Sequence, residues 1–211
     1  MTQQEIFEIL KKQLVNNFSC SSDEFEFITN KIDDVLTKSV YALSKSTNKY
    51  YCDITKETYD IFNSVQNTLF LYWLSHLSFK EGYEPLAARI YYLNKMLNAV
   101  ELFYAVELPD IWICDHPLGS VMGRAQYHNY FSFGQGCTVG NNHGVYPIIG
   151  EDVAMMSDSK ILGKSVVGDH CVISANTCII DAEIPPHSIV FGKSPSLIIK
   201  PLKEEYMGWK V

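Results

Sequence analysis

The short run Asp115-His116-Pro117-Leu118-Gly119 carries the side chain best suited to proton transfer near neutral pH, and Glu101 stands fourteen residues ahead of Asp115. An imidazole takes and returns a proton well when a carboxylate fixes its tautomer and steadies the cation. One histidine with one carboxylate can activate a hydroxyl for attack on a thioester without a covalent enzyme intermediate. From spacing alone, a structural turn histidine is the stronger reading of His116, and a solvated boundary residue remains open for Glu101. Five other histidines compete. His170 and His187 fall in turn-like stretches, His76 in a helical one, and His128 in the turn Tyr127-His128-Asn129-Tyr130, from which it could line a groove. Neither the histidines nor the six cysteines (Cys20, Cys52, Cys114, Cys137, Cys171, Cys178) have ligand spacing, so no metal site and no disulfide framework is expected.

Whatever His116 does, a repeat must position it. From Val121 an apolar residue returns every six positions: Val121, Tyr127, Phe133 and Val139, then, after a four-residue slip, Ile149, Met155, Ile161, Val167, Ile173 and Ile179. Neither an α-helix nor an ordinary strand requires a period of six; a triangular solenoid with one short strand per hexad does. Four residues after each anchor the side chain is mostly small (Ala125, Cys137, Ser159, Ser165, Cys171, Thr177), as an inward corner demands, and this assigns Cys137 and Cys171 to core packing. The pattern predicts a left-handed parallel β-helix over 99–202, an exception to the right-handed crossover rule. The slip ejects Asn141, Asn142, His143 and Gly144 as a loop, and loops on repeat scaffolds tend to shape sites.

Residues 1–98 read as a helical domain, which makes the chain α+β, with a tail at 203–211. Thr2 with Glu5 and Ser21 with Glu24 have capping-box spacing ahead of runs patterned at three and four. A third helix is expected from about Thr55 to Ser78, and a fourth opened by Pro85. A net charge of -7 argues against a nucleic-acid partner and leaves a small metabolite as the better fit. The longest strongly apolar stretch, Leu69 to Leu74, is far short of a membrane span, and the N-terminus lacks a secretion signal, so a cytoplasmic protein without membrane association is expected. The flat faces of such a prism call for self-association, with a homotrimer as the expected assembly, alone or as a dimer of trimers.

The order of helical domain, Asp-His turn, hexapeptide solenoid and closing segment resembles the serine O-acetyltransferases among the hexapeptide acyltransferases. The resemblance is carried by Asp115-His116-Pro117-Leu118-Gly119 with Val121-Met122-Gly123, by Cys137-Thr138-Val139-Gly140, by Lys160-Ile161-Leu162-Gly163 and by Gly192-Lys193-Ser194-Pro195. It covers about 99–202; in the helical part only Tyr72-Trp73-Leu74-Ser75-His76 and Ala88-Arg89-Ile90 match. The resemblance implies acetyl transfer from acetyl-CoA to the hydroxyl of L-serine or a similar small acceptor, and so a place in cysteine biosynthesis. It makes His116 the general base, Glu101 the carboxylate that orients it and Asp115 a substrate contact. Ser157 and Ala175 would bond the pantetheine arm, and Lys193 and Lys200 would meet the nucleotide phosphates. The family's His-Pro pair after the loop stands here as Tyr146-Pro147, with His143 three residues earlier as a replacement acceptor contact, and the family's helical-domain Asp has only Asp53 nearby. Two other readings stay open: a sugar O- or N-acetyltransferase of surface-polysaccharide biosynthesis, which an aromatic at 146 favours, and a non-catalytic assembly protein. The tail, ending Met207-Gly208-Trp209-Lys210-Val211, lacks the isoleucine with which the family's partner-binding tail ends.

Overall fold

A computed structural model describes residues 1–51, 53–203 and 208–209; Cys52 and the remainder of the expected tail lie outside the described residues. Four helices come first: α1 (Gln3–Asn17), α2 (Ser22–Ser44), α3 (Ser64–Lys80) and α4 (Glu84–Asn98). Both capping boxes form. The Glu5 N–H donates to Thr2 Oγ1 (3.2 Å) while the Thr2 N–H donates to Glu5 (2.8 Å), and Glu24 and Ser21 repeat the exchange at 3.3 and 2.9 Å. Each box satisfies two donors that the first helical turn would otherwise leave unpaired.

The third helix begins nine residues later than the expected Thr55. Asn63 is its true cap, its side-chain oxygen accepting from Val65 and Gln66 (3.0 and 3.3 Å). Upstream, the Thr55 N–H is held by the Thr58 hydroxyl (2.9 Å), and Tyr59, fully buried, donates its hydroxyl to the Gln66 carbonyl (2.6 Å). These side-chain bonds compete with helical ones and keep 55–63 in turns. α3 itself is buried on nearly every side, the centre of the bundle.

The solenoid opens with β1 (Glu101–Leu102) and β2 (Trp112–Cys114) and then winds in coils of three strands. These are β3 (Val121–Met122), β4 (Gln126–Tyr127) and β5 (Phe131–Phe133); β6 (Thr138–Gly140), β7 (Ile148–Ile149) and β8 (Val153–Met155); β9 (Lys160–Leu162), β10 (Val166–Val167) and β11 (Cys171–Ile173); β12 (Cys178–Ile180), β13 (Glu183–Ile184) and β14 (Ser188–Lys193). β15 (Ser196–Pro201) folds back antiparallel on β14. Equivalent strands of successive coils pair in parallel into three faces, one of β1, β3, β6, β9 and β12, one of β4, β7, β10 and β13, and one of β2, β5, β8, β11 and β14. The result is a left-handed β-helix of about five turns.

Register sets the core columns: Met122, Val139, Ile161 and Ile179 on one face, and Cys114, Phe133, Met155, Ile173 and Val190 on another. The first anchor is therefore Met122, which is 1 % exposed, and the expected anchor Val121 pairs with the outward Thr138. The corner after β3 is one residue short, with five positions from Met122 to Tyr127 against six from Ile161 to Val167, and in a structure of period two a one-residue shift exchanges inside for outside. The inward corners hold as expected: Cys137, Ser159, Ser165 and Thr177 are fully buried and Cys171 nearly so.

The two parts share one core. Trp112, fully buried on β2, packs edge-on to Tyr72 of α3 (5.3 Å) and parallel to Phe133 (6.0 Å). The Tyr72 hydroxyl donates to the Val106 carbonyl (2.8 Å) and accepts from the Leu108 N–H (2.9 Å). His76 is buried beside them, with Nδ1 2.7 Å from the Tyr104 carbonyl and Nε2 3.3 Å from Glu107. The segment leading to the Asp115-His116 turn is thus fixed by α3.

Candidate active site

β2 delivers the chain to the corner of the prism. The buried Cys114 ends the strand, and the Asp115 N–H donates to the Phe133 carbonyl (2.9 Å), which seats Asp115 on the next coil. The turn that follows is locked by four bonds: Gly119 N–H to the Ala99 carbonyl (2.8 Å), Gly136 N–H to the Leu118 carbonyl (2.9 Å), the Ser120 hydroxyl to the Gly134 carbonyl (2.8 Å) and Cys137 N–H to that hydroxyl (3.1 Å). His116 takes a left-handed backbone (φ +50°), as other corner residues do, among them Asp158, His170 and Asn176. Its ring stands in solvent, 78 % exposed, with Nε2 3.7 Å from Asp115 Oδ1. That distance is an ion-pair approach and too long for a hydrogen bond.

Stacking gathers several candidates. Cys114, Phe133, Met155 and Ile173 are in register, so two residues on, Gln135, Ser157 and Ala175 form one column along the corner, with Gly192 at its foot; the Gly136 bond sets Leu118 over Gln135, and His116 stands at the head of the same corner in a turn two residues longer than the later ones. The corner bonds from Asp158 N–H to the Gln135 carbonyl (2.8 Å) and from Asn176 N–H to the Ser157 carbonyl (3.0 Å) hold it. Four strand spacings of about 4.8 Å separate His116 from Gly192, about 19 Å in all. Lys193 follows Gly192, and Lys200 lies across the same ribbon with its ammonium over the Phe191 ring (5.7 Å). Beside the upper column a cleft of about 340 Å³ opens, with Asp115 and Ser157 on its lining.

Other candidates are placed elsewhere. The Glu101 carboxylate is taken by Lys95 (2.6 Å), and the ion-pair partner of His116 is Asp115; β1 reaches the His116 turn through its backbone, the Glu101 N–H donating to the Ser120 carbonyl (2.8 Å). The loop forms a tight hairpin in which Asn142 and Val145 pair and His143 and Gly144 both take positive φ. It is tied down by Asn142, which donates to Asp181 (2.6 Å), and the Lys164 N–H together with Asn142 holds the Asp181 carboxyl below its usual range. His143 and Tyr146 thus lie at the corner beyond β6. Seven residues from Gln135 to Asn142 at roughly 3.3 Å each put them on the order of 20 Å from the His116 column within one chain.

Gln135 and Ser132 beside the column, and the cleft residues Thr47, Tyr51 and Trp209, were not legible as site residues. Gln135 follows from the coil-to-coil offset; no pattern links Trp209 to a site 93 positions away in sequence.

No protein-family model matches the chain. Serine acetyltransferase of Helicobacter pylori is 25% identical over 142 residues, 64% of this chain and 81% of that protein. The Mycobacterium tuberculosis serine acetyltransferase is 25% identical over 127 residues, 56% of this chain and 54% of that one. In three dimensions the Neisseria gonorrhoeae serine acetyltransferase superposes with a TM-score of 0.69 at 19% identity, over 88% of this chain and 73% of that one. A serine acetyltransferase solved in complex with CoA gives 0.66 at 20% identity, over 92% and 75%. The chain is similar to serine acetyltransferases in sequence and in fold.

The remaining histidines have structural partners. His170 Nδ1 lies 3.0 Å from Asp152, which raises its pKa, and its ring stacks on His187 (4.8 Å); His128 Nδ1 lies 2.7 Å from the Ile149 carbonyl. Among the described residues no three His, Cys, Asp or Glu side chains are grouped to hold a metal, and no helix is long and apolar enough to cross a membrane. The described cysteines are free thiols.

Proposed function

We propose that the chain is an acetyl-CoA-dependent O-acetyltransferase of the serine acetyltransferase type, taking L-serine or a similar small acceptor, with His116 as general base. The observation that carries this reading is the register that sets His116, Ser157 and Ala175 on one edge of the prism. A thioester arm laid along that edge bonds the corner backbone at the small residues Ser157 and Ala175, and the nucleotide end reaches Lys193 and Lys200. The reacting carbonyl then lies at His116.

His116 removes the proton of the acceptor hydroxyl as its oxygen attacks the thioester carbon. The tetrahedral oxyanion is met by corner N–H donors, each typically worth about 2.7–4 kcal/mol. Collapse expels the coenzyme A thiolate, which takes the proton back from His116. Glu101 is assigned to steady the imidazolium. To do so its carboxylate leaves Lys95, an exposed pair of the kind typically worth about 0–1 kcal/mol and so cheap to exchange.

The acceptor contacts Tyr146 and His143 come from the loop of a second copy, since one chain keeps them a full face away from His116. A homotrimer of parallel prisms in the cytoplasm, able to pair into a dimer of trimers, fits this division. A sugar acceptor is the second reading, favoured by the exposed Tyr146 ring, 40% accessible; L-serine, homoserine and nucleotide sugars offered in parallel separate the two.

The test follows coenzyme A release with a thiol reagent. His116→Ala lowers kcat/KM by roughly 10²–10⁴-fold, the share of one general base, and Glu101→Gln lowers kcat with the KM for acetyl-CoA unchanged. A His116→Ala protein as fast as wild type rules the mechanism out, and failure of the wild-type chain to bind acetyl-CoA by calorimetry favours the non-catalytic assembly protein.

A further inference from the structure

The cleft beside Asp115 is not made by the solenoid alone. Its floor is the outer face of β2, β5 and β8, including Ile113, Ser132 and Ala154; its far wall is the connection after α2, Ser46 to Tyr51, and Gly208-Trp209 from the end of the chain. Those two residues are anchored: the Thr47 N–H donates to the Gly208 carbonyl (3.0 Å), Ser46 and Trp209 pair as an antiparallel bridge, and the Trp209 ring meets Tyr130 edge-on at 5.5 Å. Trp209 is 6% exposed, and its indole N–H is buried with no hydrogen-bond partner among the described residues. A buried donor normally finds an acceptor, and each exception calls for an explanation.

With Trp209 seated, a cavity of about 340 Å³ remains open. That volume lies near the lower end of the roughly 300–1,000 Å³ typical of small-molecule sites, and the mixture of aromatic walls with a few polar groups is also typical of them. The tail therefore walls the cleft and leaves it unplugged. Asp115 supplies a negative charge at its mouth, suited to a hydroxyl or an ammonium group, while Tyr51 and Trp209 offer ring surface to a carbon skeleton.

We infer that Trp209 is a specificity-determining residue, the wall that holds the acceptor's carbon skeleton while Asp115 takes its polar end. The tail of the chain thereby serves the chain's own site. This inference rests on the acetyltransferase reading, and its test separates the two. Trp209→Ala and Trp209→Phe are assayed as purified full-length chains, with thermal unfolding recorded for each. Trp209→Ala raises the acceptor KM roughly tenfold, on the order of one aromatic contact with its buried surface, and leaves the acetyl-CoA KM within twofold, about the scatter of such measurements. Trp209→Phe restores most of the loss, because the ring stays. Equal changes in both KM values, or a fall in the acceptor KM, overturn the inference and make the tail a general prop or a plug. If the wild-type chain binds acetyl-CoA but transfers nothing, quenching of Trp209 fluorescence by L-serine, measured against Trp209→Phe, decides in its place: quenching supports the wall and its absence overturns it.

Discussion

Replacing Tyr72 by Phe removes one oxygen from the joint that aims the His116 turn. The phenol is fully buried, and its hydroxyl is at once the donor to the Val106 carbonyl and the acceptor for the Leu108 N–H. Burial also drives its pKa far above the ordinary tyrosine value, so the hydroxyl stays neutral at every pH at which the protein would be handled. Phe keeps the ring and its contacts with Trp73, His76 and Trp112, so the change isolates the two hydrogen bonds. Without the oxygen a buried N–H and a buried carbonyl are left unpaired, each at about 1–3 kcal/mol. Partial relaxation sets the expected loss at about 2–4 kcal/mol. For a chain of this size 1 kcal/mol moves Tm by roughly 2–4 °C, so the midpoint falls by about 5–15 °C. Urea unfolding followed by circular dichroism measures the free-energy change, and scanning calorimetry measures the shift. Activity falls with it, since 103–111 leads directly into β2 and the Asp115-His116 turn. A loss under about 0.5 kcal/mol, the range of an ordinary surface substitution, would refute the view that this joint is what holds the turn.

Two further outcomes follow from the solenoid. His170 has its pKa raised first by the bond to Asp152, so the pair adds stability in full below the unfolded-state value near 6.5, and that contribution disappears as pH rises through the higher folded value. Asp152→Asn should abolish this segment of the pH–stability curve; an unaltered curve would show the pairing to be idle. At Gly123 an added Cβ would sit 2.6 Å from the Val139 carbonyl oxygen, the acceptor of the Gly123 N–H, and backbone cannot swing aside as a side chain can. Gly123→Ala is expected to cost about 1–3 kcal/mol, read by thermal unfolding, and a neutral result would mean that β3 is loosely stacked on β6.

The solenoid was legible because its physics is one-dimensional: one coil sits on the next, so a single spacing, repeated, encodes the whole prism. Where a local device replaced the repeat, legibility ended. Met122 stands one step from the expected Val121 because the corner at Gly123–Ala125 spends one residue fewer than the equivalent corner between β9 and β10 does. In the helical part, Asn63 and the two threonines decide where α3 starts, and they act through individual side-chain bonds that an apolar stripe does not record. Trp209 was beyond reach for a third reason, since its partners Ser46 and Tyr130 are set by tertiary packing alone.

For the candidate site, the same coil arithmetic sorts residues more strictly than proximity in sequence does. Positions separated by one full coil share a corner, which is how His116, Gln135, Ser157 and Ala175 meet although they span 60 positions of chain. Positions separated by a third or two thirds of a coil go to different corners, which is why Tyr146 and His143, nearer to His116 in sequence than Ala175 is, stand across a face from it. No side-chain rotation closes a gap on the order of 20 Å. A complete acceptor site with both the histidine and the loop therefore requires two copies set corner to corner, whereas the Trp209 cleft requires only one. An obligate monomer that still bound acceptor would have to do so through that cleft, which ties the assembly of the prism to the division of labour between its corners.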